Sequence, residues 1–210
     1  MELFQQVFEE EGITLSSEDY YDRYLGFDDR GVFQAVFERY GRPCTPVDLT
    51  RFIARKSAYY QARIQRDGFP IFPGAAELLR AAAASEMRLG VVSGALRSEV
   101  DGALDQIGVL ESFKIIVTAE DVRESKPDPE SYRRGFELLN ALPPLPERLL
   151  HPHEVLAIED SPAGIESAAA NGLATLGVAQ TYEPSQLQDA DQIVPSLATI
   201  DLAEIHRLFP

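Results

Sequence analysis

The chain changes its hydrophobic pattern near residue 70, and this change limits the folds that are open to it. Before that point the apolar stripes have helical spacing, as in the segment 32–40, where apolar residues recur at intervals typical of one helix face. After it, short β-branched runs alternate with helical segments. Such alternation predicts an α/β fold with a doubly wound parallel sheet. We therefore expect an all-helical domain over residues 1–69 and an α/β core domain over residues 70–210.

The elements of the second half can be placed from this alternation. Strands are predicted at 88–92, 114–118, 154–158, 174–178 and 192–194. Helices are predicted at 74–84, 97–107, 129–140, 162–171 and 199–208. The Pro-rich stretch 142–153 is predicted to be a surface connection, with His151 and His153 exposed to solvent. Because ligands bind outside the carboxyl ends of the strands in such sheets, the residues that follow each strand are the candidates for a site.

Composition and charge exclude several classes of function. With 19 basic and 34 acidic residues, the formal net charge is −15, which disfavours binding to nucleic acid or to an anionic membrane surface. Binding of a small phosphorylated metabolite is not excluded, because such a ligand needs only a few cationic side chains in one cleft. The single cysteine, Cys44, excludes an intrachain disulfide and fits a reducing compartment. The acidic, helix-patterned segment at residues 1–4 does not resemble a signal peptide, and no apolar run is long enough to span a membrane. We therefore expect a cytoplasmic protein, and the sequence does not decide between a monomer and a homodimer.

Two predicted strands are followed by groups that suit an anion. Ser93 and Gly94 follow the first strand, where a small hydroxyl and a flexible backbone could donate hydrogen bonds; an ordinary turn is the alternative. Lys126 lies directly before a proline in the stretch 124–129, after the second strand. A lysine fixed there could neutralise a phosphoryl charge as a point cation. A surface lysine in a stiff loop is the alternative for this position.

Two adjacent carboxylates, Glu159 and Asp160, come at the end of the third strand and directly before a helix. Adjacent like charges are costly unless a cation lies near them. A hard divalent cation with oxygen ligands, such as Mg²⁺, would explain the pair. The alternative is that Asp160 or Ser161 only caps the helix, which has Pro162 at its first turn.

Together these segments resemble motifs two, three and four of the haloacid dehalogenase superfamily. They read Val-Val-Ser-Gly, Ser-Lys-Pro-Asp-Pro and Ile-Glu-Asp-Ser-Pro-Ala-Gly-Ile, in that order. The nearest branch is the β-phosphoglucomutase and phosphoglycolate phosphatase-like group, which has a helical cap and a Rossmann-like core. The resemblance covers nearly the whole chain. It implies that Ser93 and Gly94 hold the transferring phosphoryl group, that Lys126 neutralises it, and that Glu159 and Asp160 bind Mg²⁺.

The family also has a first motif, which this sequence does not contain. In the family an apolar strand ends in Asp-x-Asp-Gly; the first Asp attacks phosphorus, and the second acts as general acid and base. The segment 189–191 has Asp-x-Asp but lacks the glycine and precedes a strand, and Asp28-Asp29 follows no strand. We therefore expect that Met1 is an internal residue of a longer parent, of which this chain is an N-terminally truncated form.

The missing segment would be the central strand of the family's sheet. Its loss removes buried apolar side chains and leaves two unpaired inner strand edges. We therefore expect the 210-residue chain alone to be poorly stable and catalytically inactive.

The first half adds candidates for substrate contact. Lys56 falls in the middle of an apolar stripe on the long helix, formed by Leu49, Ile53, Tyr60 and Ile64. It either snorkels to water at the edge of the packing or meets the substrate, and the resemblance of segment 55–60 to the family's cap favours the second. The segment 24–30 resembles the family's cap specificity loop. There Asp29 and Arg30 could contact substrate, with ordinary helix capping as the alternative.

Three functions are compatible with these residues. The first is a Mg²⁺-dependent phosphatase of a small phosphorylated metabolite, active through an aspartyl-phosphate in the full-length parent. The second is a sugar phosphomutase of the same fold, since the first motif that would separate the two is absent. The third is a non-catalytic protein that binds a phosphate ester or regulates a partner. A dinucleotide-dependent dehydrogenase is disfavoured, because no Gly-x-Gly-x-x-Gly follows a strand.

Overall fold

The chain divides into two compact units in the computed structural model, which describes residues 1–24, 27, 29–143 and 148–209. The units are Met1–Gly68 and Phe69–Pro210, and their boundary lies one residue before the one expected from the sequence. None of the helices in the described residues has both the length and the apolar character that a membrane span requires.

The first unit is helical throughout its described residues. Its helices are α1 (Glu2–Glu10), α2 (Ser17–Arg23), α3 (Asp29–Arg39) and α4 (Pro46–Asp67). A capping box fixes the start of α4, because the Thr45 hydroxyl accepts from the Asp48 N–H while the Asp48 carboxylate accepts from the Thr45 N–H. Helix α2 buries none of its side chains.

Aromatic side chains form the core of the first unit. Phe8, Phe33 and Phe52 are at most 1% exposed, and the rings of Phe37 and Phe52 stack with their centroids 4.9 Å apart. Cys44 is half-buried against this cluster. The first unit therefore has a hydrophobic core of its own.

The second unit alternates helices with short parallel strands. In chain order its elements are α5 (Ala75–Ala83), β1 (Leu89–Val92), α6 (Arg97–Ile107), β2 (Phe113–Val117), α7 (Glu130–Ala141), β3 (Leu156–Glu159), α8 (Pro162–Ala169), β4 (Ala174–Val178), β5 (Gln192–Val194) and α9 (Leu202–Leu208). Short 3₁₀ turns occupy Leu110–Ser112, Pro152–Glu154, Pro184–Gln186 and Leu197–Thr199. The expected α/β alternation is therefore confirmed.

The strands form two parallel sheets instead of one continuous sheet. β1 pairs with β2, and β3, β4 and β5 pair in that order. Among the described residues no ladder joins β1 to β3, so each of these strands has an unpaired edge. Ile158 in β3 is 40% exposed, although its partner Leu176 in β4 is fully buried. The two unpaired inner edges expected from the sequence are confirmed.

Helices on both faces join the two sheets. On one face, Tyr132 of α7 packs in a cluster that contains Val92 of β1 and Ala157 of β3. On the other face, α5 places Leu78 against Leu176 of β4, and the adjacent Leu79 in the cluster around β1. The two sheets therefore share their helical layers, as in one doubly wound core.

Strand β3 begins two residues later than the sequence predicts. Residues 152–154 form a 3₁₀ turn instead, because the Glu154 carboxylate accepts from the His151 N–H and from the Arg148 guanidinium. These contacts lower the pKa of Glu154 to about 2. His151 and His153 are exposed, as expected, and their rings stack 5.5 Å apart. Residues 144–147 of the Pro-rich connection lie outside the described part of the chain.

Candidate active site

Three connections bring the predicted core residues to the same edge of the second unit. Ser93 and Gly94 directly follow β1, Lys126 lies in the connection from β2 to α7, and Asp160 directly follows Glu159, the last residue of β3. Within each sheet the strands are parallel, so their carboxyl ends share an edge, and Lys126 contacts the last residue of β1 and the last residue of β3. The structure therefore places the residues of the three motifs where an α/β fold binds its ligands.

The turn after β1 offers donors to an anion. The Ser93 N–H continues the ladder by donating to the Val117 carbonyl at 2.9 Å, while its hydroxyl oxygen accepts from the Ala95 N–H at 3.1 Å. The proton of that hydroxyl is still available to a ligand. A Cβ atom built on Gly94 would meet nothing within 4 Å, so the space beside this residue is open. The turn can therefore admit a phosphoryl group.

Lys126 links the ends of β1 and β3. Its ammonium donates to the carbonyl of Val92 at 3.0 Å and to Oε1 of Glu159 at 2.5 Å. Val92 is the residue before Ser93, so the cation lies beside the anion-binding turn. The ammonium also lies 4.9 Å from the ring centroid of Tyr132. Lys126 is thus held between the turn after β1 and the acidic pair at the end of β3.

The loop that carries Lys126 is anchored at several points. The Glu130 carboxylate accepts from the N–H groups of Arg123 and Glu124, and these bonds hold the pKa of Glu130 below its usual value. From α8, the buried Ser167 hydroxyl donates to the Asp128 carbonyl at 2.7 Å. These bonds fix the backbone on both sides of the lysine, so its side chain starts from a rigid position.

Glu159 is a buried carboxylate enclosed by protein groups. Only 7% of it is exposed, and its Oε1 accepts from both the Lys126 ammonium and the Tyr132 hydroxyl, each at 2.5 Å. Its Oε2 lies 3.5 Å from the Ser161 hydroxyl. A Cβ atom built on Gly164 of α8 would lie 1.9 Å from the same Oε2. Glycine at position 164 therefore makes the space that this carboxylate occupies.

Tyr132 of α7 is a site residue that sequence reasoning missed. Burial is the largest cause that raises the pKa of its phenol well above the usual value, and the nearby Glu159 charge raises it further. The hydroxyl therefore stays protonated and donates to Glu159 throughout the physiological pH range. The signal in the sequence was weak, because an aromatic residue on the first turn of a helix is read as a core residue.

Asp160 has more open surroundings than Glu159. It is partly exposed, and its Oδ2 accepts from the hydroxyl of Thr181, in the loop after β4, at 2.7 Å. Its Oδ1 makes no hydrogen bond within the described residues. The pKa of Tyr182 is raised, chiefly by burial and then by the Asp160 charge, so this carboxylate also affects the next residue of the loop. Thr181 was a second site residue that the sequence did not reveal.

The acidic pair has the donor chemistry that Mg²⁺ requires. Mg²⁺ prefers oxygen ligands, and proteins commonly hold it through one or two carboxylates together with water and substrate phosphates. Asp160 supplies a carboxylate oxygen without a partner at the open edge of the sheet. Within the part of the chain that is described, no group of three His, Cys, Asp or Glu side chains could hold a metal ion. The fit therefore depends on the carboxylates at this one edge.

The predicted cap residues lie in the first unit. The Lys56 ammonium pairs with Oδ1 of Asp29 at 2.5 Å and lies 4.5 Å from the ring centroid of Phe4. Arg30 is exposed on α3. Residues 25, 26 and 28 of the predicted specificity loop lie outside the described residues. The structure thus joins two of the three predicted cap residues, while contact with substrate stays a prediction for all three.

Comparison with known proteins identifies the family. The model of the haloacid dehalogenase-like hydrolase family matches residues 1–178. Because this match covers most of the chain, the chain belongs to the haloacid dehalogenase-like hydrolase family. The resemblance that was read from the three motifs is therefore confirmed.

Individual relatives include two curated phosphatases. The chain is 32% identical to validoxylamine A 7'-phosphate phosphatase of Streptomyces hygroscopicus subsp. limoneus over 127 residues, 60% of this chain and 55% of that protein. It is 30% identical to hexitol phosphatase A of Escherichia coli (strain K12) over 141 residues, 67% of this chain and 60% of that protein. The chain therefore spans just over half the length of these two relatives.

A solved structure has the same fold as this chain. The crystal structure of β-phosphoglucomutase from Clostridium difficile superposes with a TM-score of 0.78 at 20% sequence identity. The superposition covers 99% of this chain and 87% of that one. At this level of identity the similarity shows the fold alone, and it agrees with the expected α/β core and helical first unit.

Proposed function

We propose that this chain carries the phosphoryl-binding and cation-binding residues of a Mg²⁺-dependent phosphatase that acts on a small phosphorylated metabolite. The observation that carries the proposal is the position of Lys126, whose ammonium lies between the carbonyl before Ser93 and the carboxylate before Asp160. A fixed cation beside an anion-binding turn and an acidic pair suits phosphoryl transfer. The phosphatases among the relatives support the same chemical class.

Each core residue has a task in this proposal. The Ser93 hydroxyl and the backbone at Gly94 donate hydrogen bonds to the non-bridging oxygens of the phosphoryl group. Lys126 lowers the charge that those oxygens present to an incoming nucleophile. Asp160 orients a cation towards the same oxygens, whereas Glu159, the other predicted ligand, is already bonded to Lys126 and Tyr132. Mg²⁺ bound there would supply stabilisation of the charge on the transferring group.

The nucleophile is the part of the chemistry for which this sequence offers no residue. In the proposed reaction a carboxylate oxygen of the first motif attacks phosphorus, the ester P–O bond breaks, and the second Asp of that motif gives a proton to the leaving oxygen. Water then hydrolyses the aspartyl-phosphate and releases inorganic phosphate. Since the described core residues bind and stabilise but do not attack, we infer that the 210-residue chain alone is inactive.

Restoring the first motif tests this proposal. An apolar strand ending in Asp-x-Asp-Gly, joined ahead of Met1, should produce release of inorganic phosphate from sugar and polyol phosphates in the presence of Mg²⁺. The matched control has Asn at the first Asp and should release none. Hydrolysis by the 210-residue chain itself, with Mg²⁺ and at a rate that Lys126→Ala abolishes, would contradict the aspartyl-phosphate route. Isomerisation of a sugar phosphate with little phosphate release would support the phosphomutase instead.

For the cap residues we propose a part in substrate selection. Lys56 and Asp29 form an ion pair, and Arg30 presents an exposed guanidinium on the same unit. In the active fusion, Lys56→Ala should raise KM or lower kcat/KM for phosphate esters, because a cation that meets the substrate is lost. Arg63→Ala, which removes an exposed cation paired with Glu2 in this unit, is the matched control. Equal kinetics of Lys56→Ala and the parent fusion would remove Lys56 from the substrate site.

A further inference from the structure

The two acidic residues at the end of β3 have different surroundings, although the sequence presents them as a pair. Oε1 of Glu159 is bonded to two donors, and its Oε2 lies against Ser161 and the bare Cα of Gly164. Asp160 accepts one hydrogen bond, from Thr181, and is partly exposed. A cation that approaches the sheet edge therefore finds a free oxygen on Asp160, whereas Glu159 is already committed.

The Lys126 ammonium also has most of its hydrogen-bonding capacity occupied by protein groups. An ammonium has three protons, and two of them are directed at Glu159 and at the Val92 carbonyl. The Tyr132 ring lies within cation–π distance of the same ammonium. One proton is left for an outside acceptor. Tyr132 touches both partners of the ion pair, because its hydroxyl binds the carboxylate and its ring faces the ammonium.

We propose that Glu159 is the buried counter-ion that fixes Lys126, that Tyr132 is a positioning residue for this ion pair, and that Asp160 alone of the acidic pair is left to bind the cation. Lys126, Tyr132 and Glu159 are called the Lys126 cluster below. The task of the cluster in phosphoryl binding rests on the proposed function, but its geometry does not.

The two contacts of Tyr132 can be removed separately. Tyr132→Phe keeps the ring beside the ammonium and deletes the hydrogen bond to Glu159. Tyr132→Leu deletes both. Tyr40→Phe is the matched control, because the Tyr40 hydroxyl also makes one hydrogen bond, to the Thr14 carbonyl in the first unit, far from these residues in the chain.

The lysines of this chain give a direct readout of the cluster. The sequence has three, Lys56, Lys114 and Lys126, so a sample with ¹³Cε-labelled lysine gives three resolved signals. Lys114 is exposed and serves as the internal reference. The Lys126 ε-protons should be shifted upfield of the Lys114 signal by the Tyr132 ring. Tyr132→Leu should abolish that shift, whereas Tyr132→Phe and Tyr40→Phe should keep it.

Acetylation of the amine by a water-soluble reagent measures the role of the hydroxyl. Lys126 should react more slowly than Lys114, and Tyr132→Phe should speed its reaction by about tenfold, the effect expected for losing one hydrogen bond to a charged group. Tyr40→Phe should leave the rate unchanged. A Lys126 rate that Tyr132→Phe does not alter, or a Lys126 signal that Tyr132→Leu does not move, would overturn the positioning role.

Mn²⁺, used as a spectroscopic substitute for Mg²⁺, tests whether Asp160 binds the cation and Glu159 does not. At a trimethylamine N-oxide concentration at which circular dichroism shows the chain and both variants folded, electron paramagnetic resonance of free Mn²⁺ should show binding to the chain, loss of binding in Asp160→Asn, and retained binding in Glu159→Gln. Equal loss in both variants would overturn the assignment of Glu159 as counter-ion only. If the unmodified chain binds no Mn²⁺, the role of Asp160 and the metal part of the proposed function fail together, while the lysine measurements still decide the role of Tyr132.

Discussion

Replacing Gly164 with alanine is expected to destabilise the second unit by about 3 kcal/mol, although alanine is the better helix former. The added Cβ would lie 1.9 Å from Oε2 and 2.1 Å from Cδ of Glu159. Neither the backbone at position 164 nor the Glu159 carboxylate can move at a low energetic cost. Gly164 is part of α8, and the carboxylate is bonded to Lys126 and Tyr132. The carboxylate must therefore leave the position that holds the lysine.

Urea unfolding, followed by circular dichroism, measures this effect. Because the chain is expected to be poorly stable, trimethylamine N-oxide should be present at one fixed concentration in all samples, since it favours the folded state. The control is Ala169→Gly, at the exposed last residue of the same helix, which should cost at most about 0.5–1 kcal/mol through helix propensity alone. Unfolding of Gly164→Ala at the same or higher urea concentration than the parent would show that Glu159 does not occupy the space beside Gly164.

The Lys126–Glu159 ion pair is expected to show strong energetic coupling. Removing one member leaves the other charge buried, and for buried pairs this costs about 3–5 kcal/mol. Here the side chains of Lys126 and Glu159 are only 19% and 7% exposed. Lys126→Met and Glu159→Gln should each be strongly destabilising, whereas the double variant should be less destabilised than the sum of the two. A double-mutant cycle measured by urea unfolding gives the coupling energy directly.

An exposed pair in the same unit provides the comparison. Lys114 and Glu111 lie 3.5 Å apart on the surface, where such pairs contribute about 0.2–1 kcal/mol at most. The same cycle with Lys114→Met and Glu111→Gln should therefore give a much smaller coupling. If the two cycles give equal coupling energies, Lys126 and Glu159 are not a buried pair, and the lysine is not fixed between the strand ends.

The positions of the three motifs in the second unit could be predicted from the sequence because each motif follows a strand. Alternation of apolar runs and helices is a local property, and the strand ends at Val92 and Glu159 could be read from it within a residue. Parallel strands then place Ser93, Lys126 and Asp160 at one edge without further information. For this reason the residues of the candidate site could be predicted from the sequence.

Contacts between distant parts of the chain could not be predicted in the same way. Tyr132 and Glu159 are 27 residues apart, and Thr181 and Asp160 are 21 apart. Nothing local marks a hydroxyl on one helix or loop as the partner of a carboxylate on another. For Lys56, a charge within an apolar stripe, the sequence left water and the substrate as alternatives, and only the fold shows the ion pair with Asp29.

The space beside Glu159 illustrates a different limit. Gly164 belongs to the motif that the sequence reveals, but its helical backbone gives no local reason for glycine. The reason lies in the carboxylate five residues earlier, which folds back against the helix that it precedes. Side-chain positions of this kind depend on packing and not on hydrophobic pattern, so they require the three-dimensional structure.

The most direct test of the proposed phosphoryl-binding site is whether inorganic phosphate binds at Lys126. In the 210-residue chain with ¹³Cε-labelled lysine and Mg²⁺, added phosphate should move the Lys126 signal in a saturable manner and leave the exposed Lys114 signal in place. Asp160→Asn should weaken the binding, because the cation that shares the phosphate is lost. A Lys126 signal that stays fixed, or that drifts in parallel with Lys114 as ionic strength rises, would contradict a phosphoryl-binding site at this edge of the sheet.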